Sequence, residues 1–269
     1  MDNRPIGVFD SGLGGLTVVR ELLKQLPNEQ LVYFGDTGRV PYGSRSPEII
    51  RRYAAQDCEL LMGQGVKYII AACGTVSSVA DDVLQSLSVP AMGVIEPTAK
   101  AALAATKNGR IGVIGTSLTV RSGAFERAIA RERADAQVFQ QACPVLVTLV
   151  ESGWIDADDA VTEAVVRRYL EPFCDIDTLI LGCTHFPLLA PVISRILGES
   201  VTLISSGEAA AAHCAQVLAE RDMLAKADNM GGCRFYVSDQ PHNFTRVAEM
   251  FLGRAVSEDV CQVNLEGEG

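Results

Sequence analysis

Residue types that most often mark a metal or cofactor site are scarce in this chain of 269 residues. It has three histidines (His185, His213 and His242), five lysines, and eight cysteines with no CxxC and no close pair. Without a ligand doublet, no metal site is expected; His213 reads as a helix residue and His242 as an exposed loop residue. The lysines (24, 67, 100, 107 and 226) all miss the carboxyl ends of the strands, where a Schiff-base lysine would sit, which argues against pyridoxal phosphate. Basic clusters are scarce too. Only Arg51-Arg52 and Arg167-Arg168 stand side by side, and the net charge of -10 opposes nucleic acid and anionic membranes. No apolar run reaches the roughly 20 residues that span a bilayer. Met1-Asp2-Asn3-Arg4-Pro5 leads into a strand rather than a signal peptide, so a cytoplasmic protein with reduced thiols is expected.

What the chain does have is core. With 48% hydrophobic and 21% charged residues it suits one large or two ordinary domains. The organising stretch is Thr178-Leu179-Ile180-Leu181-Gly182-Cys183-Thr184-His185-Phe186-Pro187. It reads as a buried strand that ends in small and polar residues, at the end where open α/β sheets keep their chemistry. Tyr68-Ile69-Ile70-Ala71-Ala72-Cys73-Gly74-Thr75 repeats the pattern upstream.

The first strand, Ile6-Gly7-Val8-Phe9, runs into the glycine-rich turn Asp10-Ser11-Gly12-Leu13-Gly14-Gly15 and a helix through Leu23. The glycines do not follow G-x-G-x-x-G, and Asp10 would repel a pyrophosphate, so a dinucleotide site is not expected. Leu31-Val32-Tyr33-Phe34-Gly35-Asp36 is a second strand, followed by a loop whose tip, Tyr42-Gly43, offers a ring and a hydroxyl. Ser46-Pro47-Glu48 opens a helix to about Met62. Val76 to Leu87 reads as one helix, and Val89 to Val94 as a short strand.

At Ile111-Gly112-Val113-Ile114-Gly115-Thr116 the chain repeats Ile6 to Ser11 at an offset of 105 residues, while the two cysteine motifs lie 110 apart. Similar offsets at two separate motifs point to an internal duplication. The expected fold is therefore α/β, with two pseudo-symmetric Rossmann-like domains, each with a parallel sheet, and a cleft between them. Like halves packed face to face would bring Cys73 and Cys183 to one ligand from opposite sides. A dithiol redox site wants its sulfurs in contact, and nucleophilic catalysis needs one. Racemisation uses both: one thiolate takes a proton from carbon and the opposite thiol returns one. Asp10 and His185 are the nearest titratable groups in the motifs, and Ser11, Thr75 and Thr184 can hydrogen-bond an amino acid.

These motifs resemble the cofactor-independent glutamate racemases of the aspartate/glutamate racemase superfamily. The likeness runs through Asp10 to Gly15, Asp36-Thr37-Gly38-Arg39-Val40-Pro41-Tyr42-Gly43, Ala72 to Thr75, Leu149-Val150-Glu151-Ser152-Gly153, Leu181 to Pro187 and the tail Phe235 to Asp239 with Phe244. It implies interconversion of L- and D-glutamate, supplying D-glutamate for peptidoglycan, without a cofactor. It implies Cys73 and Cys183 as the acid/base pair, assisted by Asp10 and His185. It also implies substrate binding by Asp10, Ser11, Tyr42, Gly43, Gly74, Thr75, Thr184 and His185. Gly74 departs from the family's usual asparagine, removing one side-chain hydrogen bond. Glu151 is implied to orient His185; read alone it is a helix-surface carboxylate. Asp36 is either a supporting residue or a strand-end carboxylate bonding its own loop. Arg39 either attracts an acidic substrate or makes a surface ion pair, and Trp154 is expected to pack.

By the same resemblance the domains are residues 1–96 with 208–269, and 97–207. A homodimer without need of a precursor activator is expected, and no nucleic-acid or membrane partner. Two other readings stay open: an aspartate or hydantoin racemase using the same thiols, and a non-catalytic amino-acid-binding protein.

Overall fold

The computed structural model describes residues 1–239, 244–256 and 260–265; His242 and the side chain of Phe244 lie outside what it describes. Among these residues are ten strands: β1 Ile6–Asp10, β2 Gln30–Gly35, β3 Tyr68–Ala71, β4 Ala91–Gly93, β5 Arg110–Gly115, β6 Gln137–Ala142, β7 Thr178–Leu181, β8 Thr202–Ser205, β9 Gly232–Val237 and β10 Val260–Gln262. They form a six-stranded sheet of order β10-β9-β2-β1-β3-β4 and a four-stranded sheet of order β6-β5-β7-β8, every pair parallel. The run β2-β1-β3-β4 and the run β6-β5-β7-β8 share one topology, which is what a duplicated half predicts.

Continuous apolar strands follow from burial on both faces. Along β1, Ile6 and Val8 enter one core cluster while Phe9 enters another; along β3, Tyr68 and Ile70 part from Ile69 and Ala71 in the same way. Alternate residues of a strand point to opposite faces, so helices must cover both sides of the sheet. In the smaller sheet Leu179 and Leu181 share the first cluster, and Ile180 goes to a third. That first cluster holds Ile6, Val8 and Leu16 together with Leu181, Phe186 and Val192, so the two sheets share core. Each fully buried Ile, Leu or Phe contributes roughly 1.5–3 kcal/mol, and the shared cluster joins the domains firmly.

Some local expectations shift. The helix opened by Ser46 spans Pro47–Gly63, with Ser46 Oγ accepting from Ile49 N at 3.4 Å. The single helix expected from Val76 is two, Gly74–Val79 and Asp81–Gln85. Ala80, at φ -124 and ψ 27, breaks it before the two aspartates that open the second helix. No helix among the described residues is long and apolar enough to cross a membrane.

Candidate active site

Both sheets deliver the residues after their central strands to one cavity of about 350 Å³, and its walls include Cys73 and Cys183. A larger cavity, about 540 Å³, lies elsewhere, beside Asp81, Glu96, Arg127 and Arg131, and has no thiol. Volume alone therefore does not pick the site; convergent polar groups do.

Cys73 follows β3 and caps the helix Gly74–Val79, and Cys183 follows β7. Their exposures are 6% and 7%, enough to meet a small ligand while excluding bulk water. The Cys73 thiol donates to Ser11 Oγ at 3.5 Å. Cys183 Sγ lies 3.7 Å from His185 Nδ1, and His185 Nε2 lies 3.1 Å from Glu151 Oε1. Thr184 Oγ1 is 3.3 Å from His185 Nδ1. Across the cavity Thr75 Oγ1 and Thr116 Oγ1 are 3.0 Å apart, joining one half to the other.

Two glycines set how closely the halves approach. A Cβ on Gly14 would stand 2.3 Å from Thr184 Oγ1 and 2.6 Å from the His185 ring, so the turn after β1 seats directly against the second half. Thr17 Oγ1 bonds the Thr184 carbonyl at 3.1 Å in the same contact. A Cβ on Gly74 would stand 2.5 Å from the Gly182 carbonyl oxygen. At position 74 the Gly182 backbone packs where a side chain would begin.

The two cysteines sit in different electrostatic settings. Burial, with the nearby Asp10 charge, pushes the Cys73 thiol up to about 12; its contact with Ser11 offsets part of this. For His185, burial opposes the charged ring, but its hydrogen bonds to Cys183 and Glu151 outweigh that and raise it to about 10. Burial raises the Asp10 carboxyl, with the His185 charge opposing. At neutral pH the site thus has a neutral thiol at Cys73 and an imidazolium beside Cys183.

Of the expected residues, Ser11, Tyr42, Gly43, Gly74, Thr75, Thr184, His185 and Glu151 line the cavity with the two cysteines. Asp10 lies beneath it, 1% exposed; Oδ2 accepts from Gly12 N at 3.0 Å and Oδ1 has no hydrogen-bond partner. Asp36 is fully buried behind Tyr42. The Tyr42 hydroxyl, expected at a loop tip, is turned inward onto Asp36 and Asp57, because a phenol flanked by two buried carboxyls is better satisfied there. Arg39 neither faces the cavity nor makes a surface pair. Its side chain, 16% exposed, binds Asp36 and Asp57 and stacks on Tyr53. Trp154, expected to pack, is 51% exposed.

Missed by sequence reasoning were Thr116, Ser117, Val147 and Thr148, which also line the cavity. A signal for Thr116 existed, since the repeat aligns it with Ser11.

The sequence pattern of the Asp/Glu/Hydantoin racemase family matches residues 6–214. The chain belongs to that family. A glutamate racemase from Geobacter metallireducens is 45% identical over 268 residues, covering 98% of each chain. A solved glutamate racemase from Bacillus anthracis superposes with a TM-score of 0.92 at 41% identity, covering 98% of this chain and 99% of that one. The glutamate racemase from Francisella tularensis, solved in complex with D-glutamate, superposes at 0.90 with 38% identity over 99% of each. Within the Asp/Glu/hydantoin racemase family, then, these relatives match nearly the whole length of this chain.

Proposed function

We propose that this protein is a glutamate racemase, an isomerase that interconverts L- and D-glutamate with two thiols. The observation that carries the reading is Cys73 and Cys183, one from each sheet, lining a single cavity. A planar carbanionic intermediate between two sulfurs can be reprotonated on the face opposite the one that lost its proton, which inverts the carbon. One thiolate takes the α-proton and becomes a thiol. The other thiol gives its proton and becomes a thiolate, so the charge has crossed the site at each turnover. General acid–base catalysis of this kind supplies typically about 10²–10⁴-fold. Proton transfer between carbon and sulfur calls on no cofactor.

His185 sits 3.7 Å from Cys183 as the counter-charge for a sulfur carrying negative charge. Asp10 serves the Cys73 side from beneath the cavity, where its charge acts on that thiol and its buried Oδ1 has no hydrogen-bond partner. Ser11, Thr75 and Thr184 with the backbone of Tyr42, Gly43 and Gly74 hold the substrate's polar groups, and Glu151 orients His185. Hydroxyls and backbone N–H groups suit carboxylates in a site this closed.

In this reading the domains are residues 1–96 with 208–269, and 97–207. The membership of β9 in the first sheet and of β5 to β8 in the second supports these limits. The protein acts in the cytoplasm as a homodimer, supplying D-glutamate for peptidoglycan. Sedimentation at several concentrations tests the dimer.

Incubation of the purified protein with L-glutamate, D-glutamate, L-aspartate and a hydantoin, followed by chiral chromatography, tests the activity. Formation of the opposite glutamate enantiomer supports the proposal. Turnover of aspartate or hydantoin alone moves the substrate elsewhere in the family, and binding of glutamate without turnover turns the reading to an amino-acid-binding protein.

A further inference from the structure

Behind the cavity wall formed by Tyr42 and Gly43 lies a buried polar cluster that the racemase reaction does not use. Asp36 and Asp57 are both 0% exposed and Tyr42 is 1% exposed. One cation serves the two carboxyls: Arg39 Nε donates to Asp36 Oδ2 at 2.6 Å and Arg39 Nη2 to Asp57 Oδ1 at 2.9 Å. The Tyr42 hydroxyl stands between Asp36 Oδ2 and Asp57 Oδ2, the latter at 3.2 Å. The Ser238 hydroxyl completes Asp36, donating to Oδ1 at 2.8 Å.

A proton count decides the state of this cluster. Tyr42 has one hydroxyl hydrogen and meets two carboxyl oxygens. If both carboxyls were ionised, one of the two contacts would set lone pair against lone pair, and a net negative charge would remain buried. A hydrogen is therefore needed on one carboxyl. Asp36 faces three donors, Arg39, Ser238 and Tyr42, whereas Asp57 faces Arg39 and the phenol. The carboxyl with fewer donors is the one that keeps its proton.

We propose that Asp57 is a neutral carboxylic acid which donates from Oδ2 to Tyr42 Oη, and that it thereby positions the substrate-binding wall at Tyr42 and Gly43. The chain of donors runs from Asp57 to Tyr42 to the Asp36 carboxylate, which is paired with Arg39. Burial and the neighbouring Asp36 charge raise Asp57, against the pull of Arg39 and of the Tyr42 contact, and Asp10 adds a smaller upward push. The Arg39 guanidinium carbon lies over the Tyr53 ring, 4.1 Å from its centre. The positioning role rests on the reading that Tyr42 and Gly43 hold the substrate; the protonation state does not.

An amide distinguishes the states. In Asp57→Asn the carbonyl oxygen still accepts from Arg39 and the NH₂ still donates to Tyr42, so it imitates a neutral acid and not a carboxylate. The experiment compares Asp57→Asn, Asp57→Ala, Asp36→Asn and Tyr42→Phe for thermal midpoint and for kcat and KM with glutamate. Expected is a KM within about twofold of wild type for Asp57→Asn and a rise of about tenfold or more for the other three, with kcat moved less. A damaged Asp57→Asn beside a sound Asp36→Asn would overturn the proposal by reversing the two acids. Infrared difference spectra of wild type against Asp57→Asn are independent of substrate. A protonated-carboxyl band lost in the variant is expected, and its absence from the wild type would overturn the protonation state. If the band is present and no variant moves KM, the positioning role fails while the neutral acid stands.

Discussion

Glu151 Oε1 meets His185 Nε2 at 3.1 Å, tying the helix Pro144–Glu151 to the loop that carries Cys183. The contact occupies the ring nitrogen remote from the sulfur, so Nδ1 is left to face Cys183. A carboxylate in this position fixes the orientation of a working imidazole and favours its charged form. Glu151 is 54% exposed at its side chain, so solvent screens the pair and the effect is moderate. Replacement by Gln should lower kcat by several-fold, on the order of fivefold, with a smaller change in KM. Steady-state kinetics in both directions checks this; an unchanged kcat would make Glu151 a bystander.

The raised His185 links stability to pH. Its folded value, about 10, lies above the ordinary 6.5. The stabilisation is therefore fully present below about pH 6.5 and is lost progressively as pH rises through about 10. Denaturation midpoints measured across that window should fall more steeply for wild type than for His185→Gln. Equal slopes would mean that the ring holds no extra proton in the fold.

Gly74 lets the backbones of the two halves approach closely. With the Gly182 carbonyl 2.5 Å from a Cβ built there, Gly74→Ala or Gly74→Asn must push the two halves apart. Overpacking of this sort costs about 1–3 kcal/mol. Both variants should show a lower thermal midpoint and a weaker KM. An Asn variant that binds glutamate more tightly at wild-type stability would show that the halves adapt and that the lost side-chain hydrogen bond matters more.

A stability control lies far from the cavity. Lys67, 0% exposed, pairs with Glu29 at 2.6 Å and donates to the carbonyls of Asp2 and Met223 at 2.6 and 2.7 Å. Lys67→Met leaves Glu29 buried without its counter-charge, which destabilises by about 3–5 kcal/mol. Urea unfolding should show the loss, while the KM of the folded fraction stays at the wild-type value.

What could be read from the sequence follows strand burial. The cysteine motifs were legible because β3 and β7 are buried on both faces and end abruptly in small and polar residues. β6 and β8 were not expected. They are edge strands with little full burial, so their residues lack the apolar run that marks a central strand. Asp57 was invisible for a different reason: in mid-helix it reads as one more polar residue on a solvated face, and only the fold carries it to Tyr42. The inward turn of the Tyr42 hydroxyl was hidden by the same long-range contact. The offset of 105 residues that marks the repeat also aligns Thr116 with Ser11.

The central claim is that both thiols act on one carbon. Its most direct test is exchange of the α-proton of L- and D-glutamate in deuterated water, followed by NMR for wild type, Cys73→Ala and Cys183→Ala without added cofactor. The account predicts that wild type exchanges and racemises both enantiomers and that each single variant loses racemisation. Racemisation that survives in either variant would contradict it.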